Sequence, residues 1–267
     1  MDVSTKQSLR DDLSKLGLRP GDAVFVHASM RAIGPVIGGA RSIVQALLEQ
    51  VEDDGLIAMP GFSNDAYWPE GIDSESLSQR EIEIIEAAVP GFDVKKSPTA
   101  EMGVIAETFR TWPGTFRSAH PTTSVCMHGK DAERFSSVHS LAWACGEKSP
   151  FGALYKRESS KVLLVGVGWN RCTALHTAES FAETKRLKTR RFKSDGKWIE
   201  TSDVADDLGR LFPKVGAAFE RKCNVTAGNL GQALCKLADF RELIDFATTW
   251  LNYANLESGG YRLRQKY

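Results

Sequence analysis

Leu9, Leu13 and Leu16 recur at helical spacing, and residues 5–16 are predicted to form an amphipathic helix that Gly17 stops. Pro20-Gly21 then turns the chain into a short apolar run, Ala23 to His27, which reads as a buried strand. Gly38-Gly39 opens a second helix with Ile43, Leu47, Leu48 and Val51 on its apolar face. Asp54-Gly55 leads to another strand, Leu56 to Pro60. Residues 61–96 show no period and are predicted to be an irregular surface insertion. Thr99 is placed to cap a helix running to about Arg110, which Pro113-Gly114 ends. Ser124 to Met127 suggests a strand, and Lys161 to Val167 is the strongest buried strand in the chain. A helix from about Thr173 to Arg186 is predicted next. Arg190 to Lys193 and Lys197 to Thr201 flank Asp195-Gly196, the signal of a hairpin. Leu234, Leu237, Phe240, Leu243 and Phe246 predict a helix from Gly231 to Leu251, with that stripe packed in the core.

Strand, glycine loop, helix, strand is the order of an α/β protein. No repeat, low-complexity tract or linker interrupts it, so one domain over residues 1–267 is expected, with the insertion at about 61–96 inside it. The 267 residues are 42% hydrophobic, enough for a sizeable core. No run approaches the ~18 apolar residues of a membrane-spanning helix, and Met1 to Asp12 is polar, unlike a signal peptide. Lys plus Arg and Asp plus Glu both total 34, so there is no basic excess for nucleic acid. Cys126, Cys145, Cys172, Cys223 and Cys235 are odd in number and form no C-x-x-C pair, which fits reduced thiols in the cytoplasm.

Three segments carry candidate chemistry. His27-Ala-Ser-Met-Arg31, with Gly34, Gly38 and Gly39 behind it, offers Ser29 and backbone N–H groups to an anion. It is neither G-x-G-x-x-G nor a P-loop, which argues against an ordinary dinucleotide or nucleoside triphosphate site. Ser97-Pro-Thr-Ala-Glu-Met-Gly103 and Arg117-Ser-Ala-His-Pro121 supply a close-approach glycine and an arginine suited to phosphate. The sharpest is Thr173-Ala-Leu-His-Thr-Ala-Glu179, where a helix puts His176 and Glu179 on one face. In a first turn after a cap at Thr173, the helix dipole would favour the neutral imidazole, able to take a proton. The same pair reads as half a metal site, without a third ligand at recognisable spacing, or as a plain buried histidine. From Asn64 to Asp93 eight acids, among them Asp65, Glu70 and Asp73, stand against Arg80 alone; this is either a solvated face or a rim that attracts a cation.

Taken together, these segments resemble the aminoglycoside 3-N-acetyltransferases, the antibiotic N-acetyltransferases distinct from the GNAT fold. The matching segments run from His27-Ala-Ser-Met-Arg-Ala-Ile-Gly34 through Ser97 to Gly103 and Phe109 to Pro121. They continue with Leu163 to Gly168, Thr173 to Glu179, Gly228 to Ala233 and Phe240 to Ala247. The resemblance covers nearly the whole chain in order. It implies an α/β fold with a mixed β-sheet core flanked by helices, acetyl-coenzyme A as donor, and an aminoglycoside amine as acceptor. His176 falls at the family's catalytic histidine, with Glu179 following as in the family. A downstream acidic stretch, Asp203 to Leu208, supplies Asp206 and Asp207. Ala205 stands where some relatives carry a glutamate.

On this reading His176 is the base, Asp207 orients or charge-stabilises it, and Glu179 holds the ring or a substrate ammonium. Coenzyme contacts are assigned to Ser29, Met30, Arg31, Val36, Ser97, Thr99, Met102, Gly103 and Arg117. Acceptor ammonium groups are assigned to Asp65, Glu70 and Asp206. No metal, nucleic acid or membrane partner is expected, and the protein is expected to be a monomer or homodimer. Cys172, four residues before His176, opens the alternative of a thiol acyl-enzyme. Two other functions remain: the same transfer to a different amine, and a non-catalytic coenzyme A-binding protein.

Overall fold

The computed structural model describes residues 3–183, 185–204 and 210–257. The chain begins with α1 (Lys6–Lys15), β1 (Ala23–Ala28), α2 (Met30–Ile33), α3 (Gly39–Val51) and β2 (Leu56–Pro60). Then come α4 (Gln79–Ala88), α5 (Gly103–Arg110), β3 (Phe116–Arg117), β4 (Val125–Gly129), α6 (Ala132–Ser136) and α7 (Pro150–Lys156). The last part is β5 (Ser160–Val165), α8 (Leu175–Phe181), β6 (Leu187–Ser194), β7 (Lys197–Val204), α9 (Phe212–Lys222), β8 (Val225–Leu230), β9 (Ala233–Asp239) and α10 (Phe240–Glu257). Among the described residues no helix is long and apolar enough to cross a membrane.

Seven strands form one mixed sheet in the order β3-β4-β2-β1-β5-β9-β8. Only β2, β1 and β5 are parallel to one another, with His27 opposite Leu164 and Ala28 opposite Val165. The flanking strands β4 and β9 run antiparallel. Successive residues of β1 feed opposite cores. Phe25 packs with Phe151, Phe219 and Phe240 on one face, while Val24 and Val26 pack with Leu9, Leu13, Ile43 and Phe109 on the other. A strand covered on both faces needs a continuous apolar run, which is why β1 and β5 stand out in the sequence.

Two expectations are corrected. Residues 231–239 are not helical: β8 and β9 form a hairpin through Gly231, whose φ of +57° suits glycine, and α10 starts at Phe240. Leu234 is 79% exposed while Ala233, Cys235 and Leu237 are buried, the alternation of a strand. The insertion is also not irregular throughout. It contains α4, begun by a capping box between Ser78 and Glu81.

A second sheet, the β6–β7 hairpin, turns through Asp195 and Gly196, both with positive φ. Its Phe192 is fully buried and packs on His120, whose ring lies 4.7 Å from that of His139. Each ring is held with one donor and one acceptor. His139 Nε2 donates to Ala144 O and Nδ1 accepts from Ser118 Oγ, while His120 Nδ1 accepts the Thr123 N–H. A second proton would meet a donor, and burial holds His120 down at about 4 and His139 at about 3. Unfolded, both rings take up a proton below about pH 6.5, so the unfolded state binds more protons between that pH and about 4. Stability is therefore complete above about pH 6.5 and falls as pH drops through this window. The expected slope is up to about 1.4 kcal/mol per pH unit for each ring. Melting temperatures measured from pH 7.5 to 4.5 check this, and a flat profile would contradict it.

Candidate active site

The carboxyl ends of the three parallel strands open into a cleft of about 240 Å³. Its walls come from His27 and Ala28 of β1, Met59 and Pro60 of β2, and the segment after β5 that carries Asn170, Arg171 and Thr173. The start of α5, with Glu101 and Met102, closes another side, and His176 and Phe212 complete it. Strand ends of open α/β sheets leave such a crevice because the chain departs in loops on either side.

His176 sits in the first turn of α8. Its Nδ1 lies 2.6 Å from Glu179 Oε2, the i, i+3 geometry anticipated from the spacing. A carboxylate only accepts, so Nδ1 carries the hydrogen and Nε2 presents a lone pair. Glu179 is 7% exposed, and its second oxygen accepts from Arg186 Nη2 at 2.8 Å. Arginine, carboxylate and imidazole thus form one relay, with the edge of Phe212 against the imidazole at 4.8 Å. Among the described residues Nε2 has no hydrogen-bond partner, and the ring lines the cleft. The expected cap at Thr173 is absent. Ala174 begins α8 without a side-chain bond, and the Thr173 N–H donates instead to Nε2 of His27 at 3.1 Å. α8 also ends at Phe181, where Ala182 turns extended, rather than at Arg186.

His27 is buried, and burial with the nearby Arg171 charge holds it down at about 3, so its ring is neutral. Cys172 is fully buried, and burial pushes its thiol up to about 12. A thiol in that state is a poor nucleophile, which weighs against an acyl-enzyme. All five cysteines are free. Among the described residues no three His, Cys, Asp or Glu side chains converge as a metal site would require.

The other predicted residues divide. Met102 lines the cleft, and Gly103, with φ +82° and open space where a Cβ would stand, begins α5 beside it. Ser29 caps the four-residue α2 through Ala32 N–H, and Arg31 is exposed. Met30 and Val36 lean on the core beneath α3. These four lie outside the cleft wall. Thr99 does not cap a helix; its N–H is taken by Glu107 at 2.9 Å, and Met102 begins α5 without a side-chain bond. Ser97 is buried, with Oγ accepting from Asp93 N–H.

Arg117 acts as a brace within the protein. Its guanidinium donates to Ser97 O, Gly61 O and Ser124 Oγ and stacks on Phe92, and it lines no part of the cleft. Asp65 and Glu70 do not reach the cleft wall either. The insertion instead docks on the basic hairpin. Glu86 pairs with Arg191, and Lys193 Nζ donates to the carbonyls of Glu86, Ala87 and Val89 at the end of α4. Tyr67 OH accepts from Arg190. Its acids are largely spent on such local bonds, including Asp73 and Glu81 as helix starters and Asp93 on the Lys95 and Lys96 amides. Asp206 and Asp207 lie outside the described residues.

Three residues at the cleft had no role from sequence. Glu101 was hidden as a spacer in its motif, with φ +58° marking a tight turn only once folded. Arg171 brings an exposed cation to the cleft from a short 3-10 turn. His27 lay in a noticed motif, but its pairing with Thr173 spans 146 positions.

The family described as aminoglycoside 3-N-acetyltransferase matches residues 25–252. Among curated proteins, the prophage-derived aminoglycoside N(3')-acetyltransferase-like protein YokD of Bacillus subtilis is 37% identical, with 92% of each chain covered. Aminoglycoside N(3)-acetyltransferase III of Pseudomonas aeruginosa is 31% identical over 96% of this chain and 97% of its own. The crystal structure of YokD superposes with a TM-score of 0.87 at 35% identity, covering 98% of this chain and 97% of YokD. AAC-IIIb in a binary complex with coenzyme A gives 0.85 at 30%, covering 95% and 98%. AAC-VIa bound to sisomicin gives 0.83 at 30%, covering 95% and 99%.

Proposed function

The chain belongs to the aminoglycoside 3-N-acetyltransferase family, and from that premise we propose that it transfers the acetyl group of acetyl-coenzyme A to the 3-amino group of an aminoglycoside, conferring resistance. The observation that carries the reading is His176, fixed through Nδ1 by buried Glu179 with Nε2 free at the cleft. An acceptor amine is mostly protonated at neutral pH and must lose a proton to attack. That first proton leaves to solvent; Nε2 then takes the second as the C–N bond forms, and Glu179 with Arg186 holds the imidazolium that results. The C–S bond then breaks, and the imidazolium returns the proton to the departing thiolate. Nδ1 is already occupied, so the orienting role first given to Asp207 passes to Glu179.

The relatives solved with coenzyme A and with sisomicin support the two ligands. On this chain the coenzyme's anionic part is assigned to Ser29, Met30, Arg31 and Val36, to the Ser97–Thr99 turn and to Met102-Gly103. Arg171 joins them in place of Arg117. The cytoplasm, where acetyl-coenzyme A is made and thiols stay reduced, is the assigned compartment.

A second reading, the same transfer to a smaller amine, is favoured by one observation. Among the described residues Glu101 is the sole acid in the cleft wall, whereas an aminoglycoside carries several ammonium groups. A thiol-release screen over aminoglycosides and simple amines decides between them. Saturable release with an aminoglycoside, and a product acetylated at the 3-amino nitrogen by NMR, is expected. Release with small amines alone would shift the assignment to the second reading, and no release with any amine would defeat both.

A further inference from the structure

His27 closes β1 at the centre of the sheet, and its ring forms part of the cleft wall that also contains His176. One residue ties the two rings together. Thr173 donates its N–H to His27 Nε2 at 3.1 Å, and its carbonyl accepts the His176 N–H at 3.0 Å. Because Nε2 must accept, the ring hydrogen sits on Nδ1. Among the described residues that Nδ1–H has no protein partner, and the residue lines the cleft. A ring donor with no protein acceptor, on a cleft-wall residue beside the base, is available to a ligand acceptor.

We propose that His27 is the neutral hydrogen-bond donor that meets the thioester carbonyl oxygen as that oxygen becomes an oxyanion. The assignment rests on the acetyl-transfer reading and deepens it. When the amine nitrogen bonds to the acetyl carbon, the carbonyl π pair moves onto oxygen, in reach of Nδ1–H. The pair returns to carbon as the C–S bond breaks and the thiolate leaves. His27 keeps its proton throughout, while His176 carries the amine proton to the thiolate. A neutral imidazole suits this task because a donor fixed before the reaction needs no reorganisation as charge develops. Low basicity also prevents His27 from competing with His176 for the amine proton.

Three variants separate this role from a structural one. His27→Asn keeps an N–H at the Nδ1 position, His27→Gln keeps an acceptor for the Thr173 N–H at the Nε2 position, and His27→Ala keeps neither. The expected result is a loss of roughly 10²–10³ in kcat for the Ala and Gln variants. Their KM values should be little changed, and Asn should recover at least tenfold of the lost rate. If Ala fails to fold, Asn against Gln still decides. A Gln variant that works while Asn is dead makes His27 a brace for the Thr173 turn and overturns the proposal. A wild-type enzyme that releases no thiol overturns the acetyl-transfer reading and this proposal with it; wild-type turnover with equal losses in Asn and Ala overturns this proposal alone.

Discussion

His176→Ala should lower kcat by roughly 10²–10⁴-fold, the scale of one general base, and leave coenzyme affinity nearly unchanged. The acceptor amine's proton is assigned to Nε2, whose ring is fixed from behind by Glu179 at 2.6 Å. The coenzyme, by contrast, is assigned in our reading to other residues, at 29–36, 97–103 and Arg171. Cys172→Ala should keep most of the wild-type rate, because the thiol is fully buried and pushed up to about 12. Steady-state kinetics of the two variants at saturating donor make the comparison. A dead cysteine variant beside a histidine variant that keeps most of its rate would replace direct transfer with a thiol acyl carrier.

Arg190→Leu should cost about 3–5 kcal/mol of stability, the scale for removing one member of a buried ion pair. Arg190 Nε lies 2.5 Å from Asp203, which is 1% exposed, and Nη1 donates to Tyr67. The truncated pair leaves a buried carboxylate without its Arg190 partner. In a chain of this length the melting temperature should fall by roughly 10 °C. The double variant Arg190→Leu with Asp203→Asn removes both charges and should melt above the single variant. Thermal unfolding of the three proteins tests this, and an Arg190→Leu variant that melts within two or three degrees of wild type, about 1 kcal/mol, would contradict it.

The readable parts of the sequence were those where one physical demand dominates. Strands β1, β2 and β5 are buried on both faces, so their apolar runs were unambiguous, and Asp195-Gly196 announced its turn because both positions need positive φ. The helix expected from Gly231 failed for a related reason. Leu234 and Leu237 sit at helical spacing, yet only Leu237 is buried, and the pairing with β8 that settles the matter joins groups outside the window of local periodicity. His176 and Glu179 were legible because three residues of helix fix their separation. Arg186, seven positions beyond Glu179 and past the end of α8, was not, since its approach depends on how the chain leaves the helix. That Arg117 braces backbone carbonyls was not legible either, because an arginine looks the same in sequence whatever it faces.

The bonds from Lys193 and Arg191 to α4 make two distant stretches of chain a single exchangeable cassette. A chimera that imports another relative's insertion alone would leave Lys193 without the α4 carbonyls it terminates and Arg191 without Glu86. Grafting residues 61–96 together with 187–204 preserves that contact and replaces no residue of the seven-stranded sheet or of the His176 relay. Library design should therefore treat the two segments as one locus.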